Sequence, residues 1–274
     1  MRPPDAPLSP AEIDEFKQKG FLVLRAAFNA AAFVSHAEAE LALLLRDGPP
    51  RDSYRLCRTG AWRFDVKTTA SRVHAAICQL LGGEGRLRAP LDGFHTANAR
   101  CAVAGQGHLA ASDDWHVDGW HDPHKLTSGE VGLVVLWLLT PAPAGGGGTV
   151  FAEGSVQRVA RLLAKQPRGL RPHALHARDA EGAERAIVPS LLRGCRPHCF
   201  VGAAGDVALC HPFLIHRGDR NKSATRPRIL AVSHCPLAAA MRVRPGDDDA
   251  GPLSPVEEST RAALHAPRPG CAVS

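Results

Sequence analysis

The chain of 274 residues has no long hydrophobic run, no block of like charges and few aromatic residues. Its longest strongly apolar stretch, Val131 to Leu139, falls far short of the roughly 20 residues that a bilayer-spanning helix needs. No apolar segment follows Arg2, as a secretory signal would require, so an intracellular, cytoplasmic protein is expected. Glycine and proline, 26 and 22 residues, recur without a period, which excludes collagen, coiled coil and wholesale disorder. Eight cysteines are too few for a disulfide scaffold and show no framework spacing, so reduced thiols are expected. The net charge of +6 contains no basic run of the kind that nucleic-acid arms carry, and no internal repeat is visible. What remains is 45% hydrophobic content, enough for the core of a single domain spanning residues 1–274. Fourteen histidines stand against one tyrosine, and that imbalance points towards metal.

Helices come first along the chain. Ser9-Pro10-Ala11-Glu12 is a capping box with proline at the first helical position, and it opens a helix through Lys19 that Gly20 closes. Phe21 to Leu24 reads as a buried strand. A second helix is expected from Ala30 to Arg46, capped by Asn29 and stopped by Gly48, with Phe33, Ala37, Leu41 and Leu44 on its packed face. A third, Arg72 to Leu81, ends at Gly82-Gly83. After Gly93 the texture becomes strands between glycine and proline turns: Phe94–Val103, Trp115–Gly119, Gly132–Thr140, Gly148–Ala152, His198–Gly202, Asp206–His211 and Arg228–Cys235. The fold class that follows is mainly β with flanking helices packed on one sheet of a sandwich or barrel.

Residues 154–200 interrupt this rhythm. A helix from Ser155 to Gln166 leads into an arginine-rich stretch, with nine Lys/Arg against three Asp/Glu from Gly154 to Phe200, and a lid or substrate-binding insertion is expected there. Residues 243–274, rich in Pro, Gly and Asp with room for one short helix from Ser254, are expected to form a mobile tail.

The chemical signal is Trp115-His116-Val117-Asp118-Gly119-Trp120. On an extended segment, residues two apart share a face, so His116 and Asp118 can offer an imidazole and a carboxylate to one point. His36-Ala37-Glu38 has the same spacing but falls in a helix, where such residues diverge. A further histidine from the stretch His211 to His216 would complete two histidines and one carboxylate, a set that leaves three open positions on Fe(II). Five residues apart on a regular strand, His211 and His216 would face opposite ways. Downstream, Arg228 opens an apolar strand and can hold the far end of a dicarboxylate through two parallel hydrogen bonds. Arg226 competes with it, but Pro227 makes Arg226 a poor strand residue, whereas Arg228, Leu230, Val232 and His234 share one face at period two.

These residues resemble the phytanoyl-CoA dioxygenase family of Fe(II)- and 2-oxoglutarate-dependent oxygenases. The resemblance covers most of the chain: Glu15-Phe16-Lys17-Gln18-Lys19-Gly20-Phe21-Leu22-Val23-Leu24, His116-Val117-Asp118, His211-Pro212-Phe213-Leu214-Ile215-His216, Asn221-Lys222 and Arg228 to His234. It implies a double-stranded β-helix, a cupin-like jelly roll with supporting helices. It also implies His116, Asp118 and His216 as metal ligands, Arg228 on the C5 carboxylate of 2-oxoglutarate, and Trp137 lining the cosubstrate pocket. Three departures stand out. Gly218 occupies a position where the family often has Ser or Gly, so a hydroxyl contact to the cosubstrate is missing; the loop from His216 to Arg228 is one residue longer, which keeps Arg226 in competition; and Gly154-Ser155-Val156 lacks the histidine of the family's Gly-Ser-His turn.

The activity implied is hydroxylation of an unactivated C–H bond with Fe(II), 2-oxoglutarate and O2, releasing succinate and CO2; beyond the metal ligands no catalytic residue is named. The substrate implied is a small organic molecule, and the basic stretch favours an acidic one. Asp118 occupies the place where related halogenases have a small residue, which favours hydroxylation. Two alternatives belong to other classes: a cupin-type metalloenzyme that does not use 2-oxoglutarate, and a binding member of the fold without turnover. Cys195-Arg196-Pro197-His198-Cys199 offers only three of the four ligands of a structural zinc site. Gly145 to Gly148 lacks the Gly-Lys-Ser/Thr ending of a phosphate loop. Cys271-Ala272-Val273-Ser274 matches a prenylation pattern but follows no polybasic stretch.

Overall fold

The computed structural model describes residues 7–47, 52–56, 62–102, 115–119, 123–171, 176–178, 184–222, 226–244, 246–247 and 251–265. Helix α1 (Pro10–Lys19) starts at Ser9, whose hydroxyl accepts from the Glu12 N–H at 3.3 Å while the Glu12 carboxylate accepts from the Ser9 N–H at 2.7 Å. Gly20, at φ 83°, turns the chain into β1 (Phe21–Leu24). Then follow α2 (Ala31–Asp47), β2 (Ser53–Leu56), α3 (Val66–Thr69), α4 (Ser71–Leu81), β3 (Thr96–Arg100), β4 (Leu133–Leu138) and β5 (Thr149–Glu153). The second half comprises α5 (Ser155–Ala164), β6 (His176–Arg178), β7 (Glu184–Ala186), α6 (Val188–Leu191), β8 (Arg196–Phe200), β9 (Val207–Cys210), β10 (His216–Gly218), β11 (Arg228–Cys235) and α7 (Pro255–His265).

The strands form a six-stranded sheet in the order β1-β9-β4-β11-β3-β2 and a three-stranded sheet in the order β10-β5-β8, antiparallel throughout, with β6 and β7 paired separately. The two sheets face each other as a double-stranded β-helix. At one end of the interior they meet through Phe21 of β1, whose ring lies 4.7 Å from Phe151 of β5 and 4.8 Å from the His198 ring of β8. The outer face of the large sheet is covered by aromatic packing: Trp137 of β4 meets Phe28 at 5.1 Å and Phe94 at 5.4 Å, and Phe33 of α2 joins them. Each sheet thus has an apolar outer layer or an apolar partner, as burial of a pleated surface requires.

Several expectations change. Trp115–Gly119 forms no full strand; within it His116 makes an isolated antiparallel bridge with His216. The strand around Thr96 is shorter than expected, and the four short strands β2, β6, β7 and β10 are additional to the expected set. Leu44 of α2 is 36% exposed and lies off the packed face formed by Phe33, Ala37 and Leu41. Parts of the expected lid belong to the framework. The Ser155 hydroxyl of α5 accepts from the Ile215 N–H at 2.9 Å, and β8 is an edge strand of the small sheet.

The largest correction concerns the tail. Residues 255–265 form α7, which docks against α1, α4 and α5 with Val256, Glu257, Thr260 and Ala263 buried. Ser254 caps it through a second capping box, its backbone N–H donating to Glu257 at 2.9 Å. The Glu257 carboxylate then accepts from Arg86 and Arg242, a pairing between distant positions that composition cannot show. Residues 266–274, with Cys271, lie outside the described residues, as do Gly48, Val103, Trp120, His121 and Asp122.

Candidate metal centre

The interior opposite the Phe21 end is polar and hollow. Side chains of one period-two face of β11, Arg228, Leu230, Val232 and His234, line a cavity of about 280 Å³. The ladder partners on β3 and β4 continue this wall, including Thr96, Asn98, Arg100 and Leu136. The facing wall comes from β5, β10 and the 116–119 segment.

Backbone pairing brings the histidines together. His116 and His216 exchange N–H to C=O hydrogen bonds, both 2.9 Å, the narrow antiparallel pair that sets two side chains on one face. Their ring centroids are 4.4 Å apart. Asp118, two residues beyond His116, returns to the same face: its Oδ1 lies 3.4 Å from His116 Nε2 and 3.7 Å from His216 Nε2. One ligand atom from each of the three residues lies within 4.8 Å of the others. The sequence spacing therefore works even though the segment is not a regular strand.

Protonation suits a cation in their midst. His216 Nδ1 lies 3.1 Å from the Leu214 carbonyl, which can only accept, so the hydrogen sits on Nδ1 and the Nε2 lone pair faces Asp118. Burial, followed by the nearby His116, holds the His216 pKa below its ordinary value, so the ring is neutral. For Asp118, burial would raise the pKa, but His216, His116 and His234 together outweigh it and hold the carboxyl well below its usual range. The cluster thus offers two imidazoles and a carboxylate.

His234 carries no role in the sequence reading beyond sharing the period-two face of Arg228. Its Nε2 lies 3.2 Å from Asp118 Oδ2, the oxygen turned away from His116. Its backbone N–H donates to His95 Nδ1 at 3.1 Å, and the His95 ring stacks on its own ring with centroids 5.6 Å apart. The result is a carboxylate with one oxygen occupied and the other directed at the two histidines.

Arg228 lies further along the same wall, 2% exposed. Its Nε donates to the Gly147 carbonyl at 2.5 Å and its Nη1 to the Asn98 carbonyl at 3.2 Å. Among the described residues no carboxylate pairs with it, and burial, with Arg100 nearby, lowers its pKa to about 9. Arg226 lies elsewhere, in an outer groove beside Val34 and Leu41 of α2.

Two other residues fall outside the site. Trp137 does not line the cosubstrate pocket as expected; it projects to the opposite face of the large sheet. There it is fully buried among Phe28, Phe64 and Phe94 and donates from Nε1 to the Ser233 hydroxyl at 3.0 Å. Its neighbour Leu136 faces the cavity instead, as alternation along β4 requires. His211 is equally remote: Nδ1 accepts from the Phe213 N–H at 3.0 Å, and Nε2 faces Val256 and Thr260 of α7.

No helix among the described residues is long and apolar enough to cross a membrane. No protein-family model matches the chain, and no curated protein does. Solved structures do match. EctD from S. alaskensis in its apoform aligns with a TM-score of 0.50 at 19% identity, over 84% of this chain and 78% of that one. The non-heme alpha ketoglutarate dependent carbocyclase SnoK from nogalamycin biosynthesis aligns at 0.47 and 14% identity, over 90% and 92%. HygX from Streptomyces hygroscopicus, with nickel and 2-oxoglutarate bound, aligns at 0.43 and 16% identity, over 83% and 86%. At these identities the likeness is one of fold, and the match to EctD carries it: the chain is a mainly antiparallel β, cupin-like jelly roll with flanking helices.

Proposed function

We propose that this chain is an Fe(II)- and 2-oxoglutarate-dependent oxygenase that hydroxylates an unactivated C–H bond of a small organic substrate, with release of succinate and CO2. The carrying observation is one cavity that holds both a His-Asp-His cluster and a buried guanidinium with no carboxylate partner among the described residues. The donor set fits the metal: two imidazoles and one carboxylate on one side leave positions for a chelating 2-oxo acid and O2. His116, Asp118 and His216 would hold the iron, and the bound iron with its cosubstrate supplies the activation of O2 that no side chain can provide.

The rest of the chemistry belongs to the chain. Arg228 binds the far carboxylate of the 2-oxo acid, and the ion pair forms where burial has removed competing water. Asp118 would fill a coordination position with its own oxygen, which would leave no protein vacancy for halide. His234 holds the second oxygen of Asp118 and fixes its orientation. Leu136, Leu230 and Val232 supply an apolar wall that keeps water from the reacting carbon. The basic stretch within residues 154–200, excluding the framework elements α5 and β8, serves as the lid that meets an acidic substrate.

Anaerobic addition of Fe(II) and 2-oxoglutarate tests the reading. A visible charge-transfer band is expected, absent in His116→Ala and weakened in Arg228→Met. A wild-type protein that binds Fe(II) but develops no band overturns it in favour of a metalloenzyme without 2-oxoglutarate. Coupled succinate release across candidate acids then identifies the substrate.

A further inference from the structure

The register of β11 against β3 places Arg228 directly opposite Arg100. Both side chains line the same cavity, Arg228 buried and Arg100 half-buried. Like charges at opposed positions of an antiparallel ladder repel, and the repulsion is stronger where water is scarce. Arg100 pairs with Asp52 at 3.8 Å, and that carboxylate is 53% exposed at the rim.

The facing wall is shaped to receive Arg100. Gly218 stands two residues beyond His216 on β10, and a Cβ placed on it would meet Nε and Cζ of Arg100 at 2.8 and 2.9 Å, with Nη2 closer still. The backbone of Gly218 is not in the left-handed region, so its conformation does not demand glycine. The Arg100 guanidinium does. Where a serine hydroxyl would otherwise stand, this chain has no side chain, and a cation reaches across the cavity into the space.

We propose that Arg100 and Arg228 form a two-guanidinium clamp on a single carboxylate, the far carboxylate of the 2-oxo acid, with Gly218 as the gap through which Arg100 reaches it. This rests on the oxygenase reading and deepens it: a second positive charge stands in for the hydroxyl that Gly218 cannot offer. The clamp makes cosubstrate binding depend more on the distal negative charge than a single arginine would. It also means that a dicarboxylate relieves the repulsion between Arg100 and Arg228, so it stabilises the protein even without metal.

The test uses metal-free protein melted in increasing glutarate, a dicarboxylate without the chelating keto group, beside anaerobic titration of the Fe(II) form with 2-oxoglutarate. In the wild type, glutarate raises Tm. In Arg100→Met and in Gly218→Ala, where the added methyl must displace the guanidinium, the rise shrinks. In both variants the 2-oxoglutarate Kd increases roughly tenfold or more, as removal of a charge-assisted hydrogen bond implies, while Fe(II) affinity alone is unchanged. Arg100→Lys keeps the charge without the planar fork and falls between them. The clamp is overturned if Arg100→Met keeps the wild-type glutarate shift and Kd while Arg228→Met loses both, an outcome that leaves the oxygenase reading standing. If 2-oxoglutarate does not bind the wild-type Fe(II) protein at all, that reading and the clamp fall together.

Discussion

Glu257 and Arg228 are almost equally enclosed, 1% and 2% exposed, yet the fold surrounds them differently. The Glu257 carboxylate accepts from Arg86 at 2.5 Å, from Arg242 at 3.2 Å, and from the backbone N–H groups of Arg242 and Ser254 at 2.8 and 2.9 Å. Burial would raise its pKa, but those N–H groups and the two arginines outweigh it and keep it ionised. Arg228 has two backbone carbonyls and, beside it, another arginine. One charge is fully answered within the chain, and its role is to pin α7. The other is answered only in part, and the missing half has the chemistry of an anion.

Breaking each ion in turn gives the largest contrast. Glu257→Gln leaves Arg86 and Arg242 facing a neutral amide. A stability loss of roughly 3 kcal/mol is expected, the low end for a broken buried pair because both arginines keep some solvent contact. Arg228→Met removes a buried cation that no carboxylate answers among the described residues, so metal-free protein is expected to change by less than about 1 kcal/mol or to gain stability. Urea unfolding of the two variants side by side measures this. Equal losses would show that Arg228 is as structural as Glu257.

The same contrast explains what the sequence can and cannot reveal. Local signals transfer well: the Ser9 capping box, Gly20, the Asn29 cap and the period-two face of β11 all act over a few residues. His116, Asp118 and His216 are accessible because two of them are neighbours on an extended segment. Trp137 is misplaced by the resemblance, and periodicity could not correct it: a fully buried strand, Leu133–Leu138, carries apolar residues on both faces, so the pattern cannot say which face meets the cavity. The docking of α7 is hidden because its anchors, Arg86 and Arg242, are distant in sequence or sit before a Pro- and Gly-rich stretch. The same holds for Arg100: only the register of β3 against β11 brings it to Arg228.

Within the metal centre the comparison sharpens at His234. Its ring meets Asp118 at Oδ2, whereas the two candidate ligand histidines lie nearer Oδ1, so His234 supports the carboxylate from the side that the metal would leave free. His234→Leu is expected to lower Fe(II) affinity by about tenfold to a hundredfold, the usual effect of losing a residue that orients a ligand. Glu257→Gln, by contrast, is expected to leave Fe(II) affinity within about twofold of the wild type, since distant sites act nearly independently. Equilibrium dialysis under argon reads both. If His234→Leu binds Fe(II) as tightly as the wild type, Asp118 is oriented by the backbone alone.

The smallest effect separates two buried histidines by pH. His216 keeps a lone pair turned towards Asp118, whereas His211 has every polar atom used: Nδ1 accepts from the Phe213 N–H, and Nε2–H points at the Val256 carbonyl at 3.3 Å and the Thr260 hydroxyl at 3.1 Å. A proton added at Nδ1 of His211 would break the Phe213 bond, and burial lowers its pKa to about 3. The unfolded chain takes up this proton near pH 6.5 and the folded chain does not, so the stability it contributes is complete above about pH 6.5. It is lost progressively as pH falls towards 3, at about 1.4 kcal/mol per pH unit. His124, lowered to about 4 by burial, acts in the same direction. Because His211 contacts α7 through Val256 and Thr260, amide protection in residues 255–265, referred to the intrinsic exchange rate at each pH, should fall first as the solution is acidified. His211→Gln has no titrating proton, so its stability at pH 7 falls but its slope between about pH 6.5 and 5 is shallower by about one proton. An unchanged slope would mean that the acid sensitivity of this protein comes from elsewhere, and that α7 is held by Glu257 and its arginines alone.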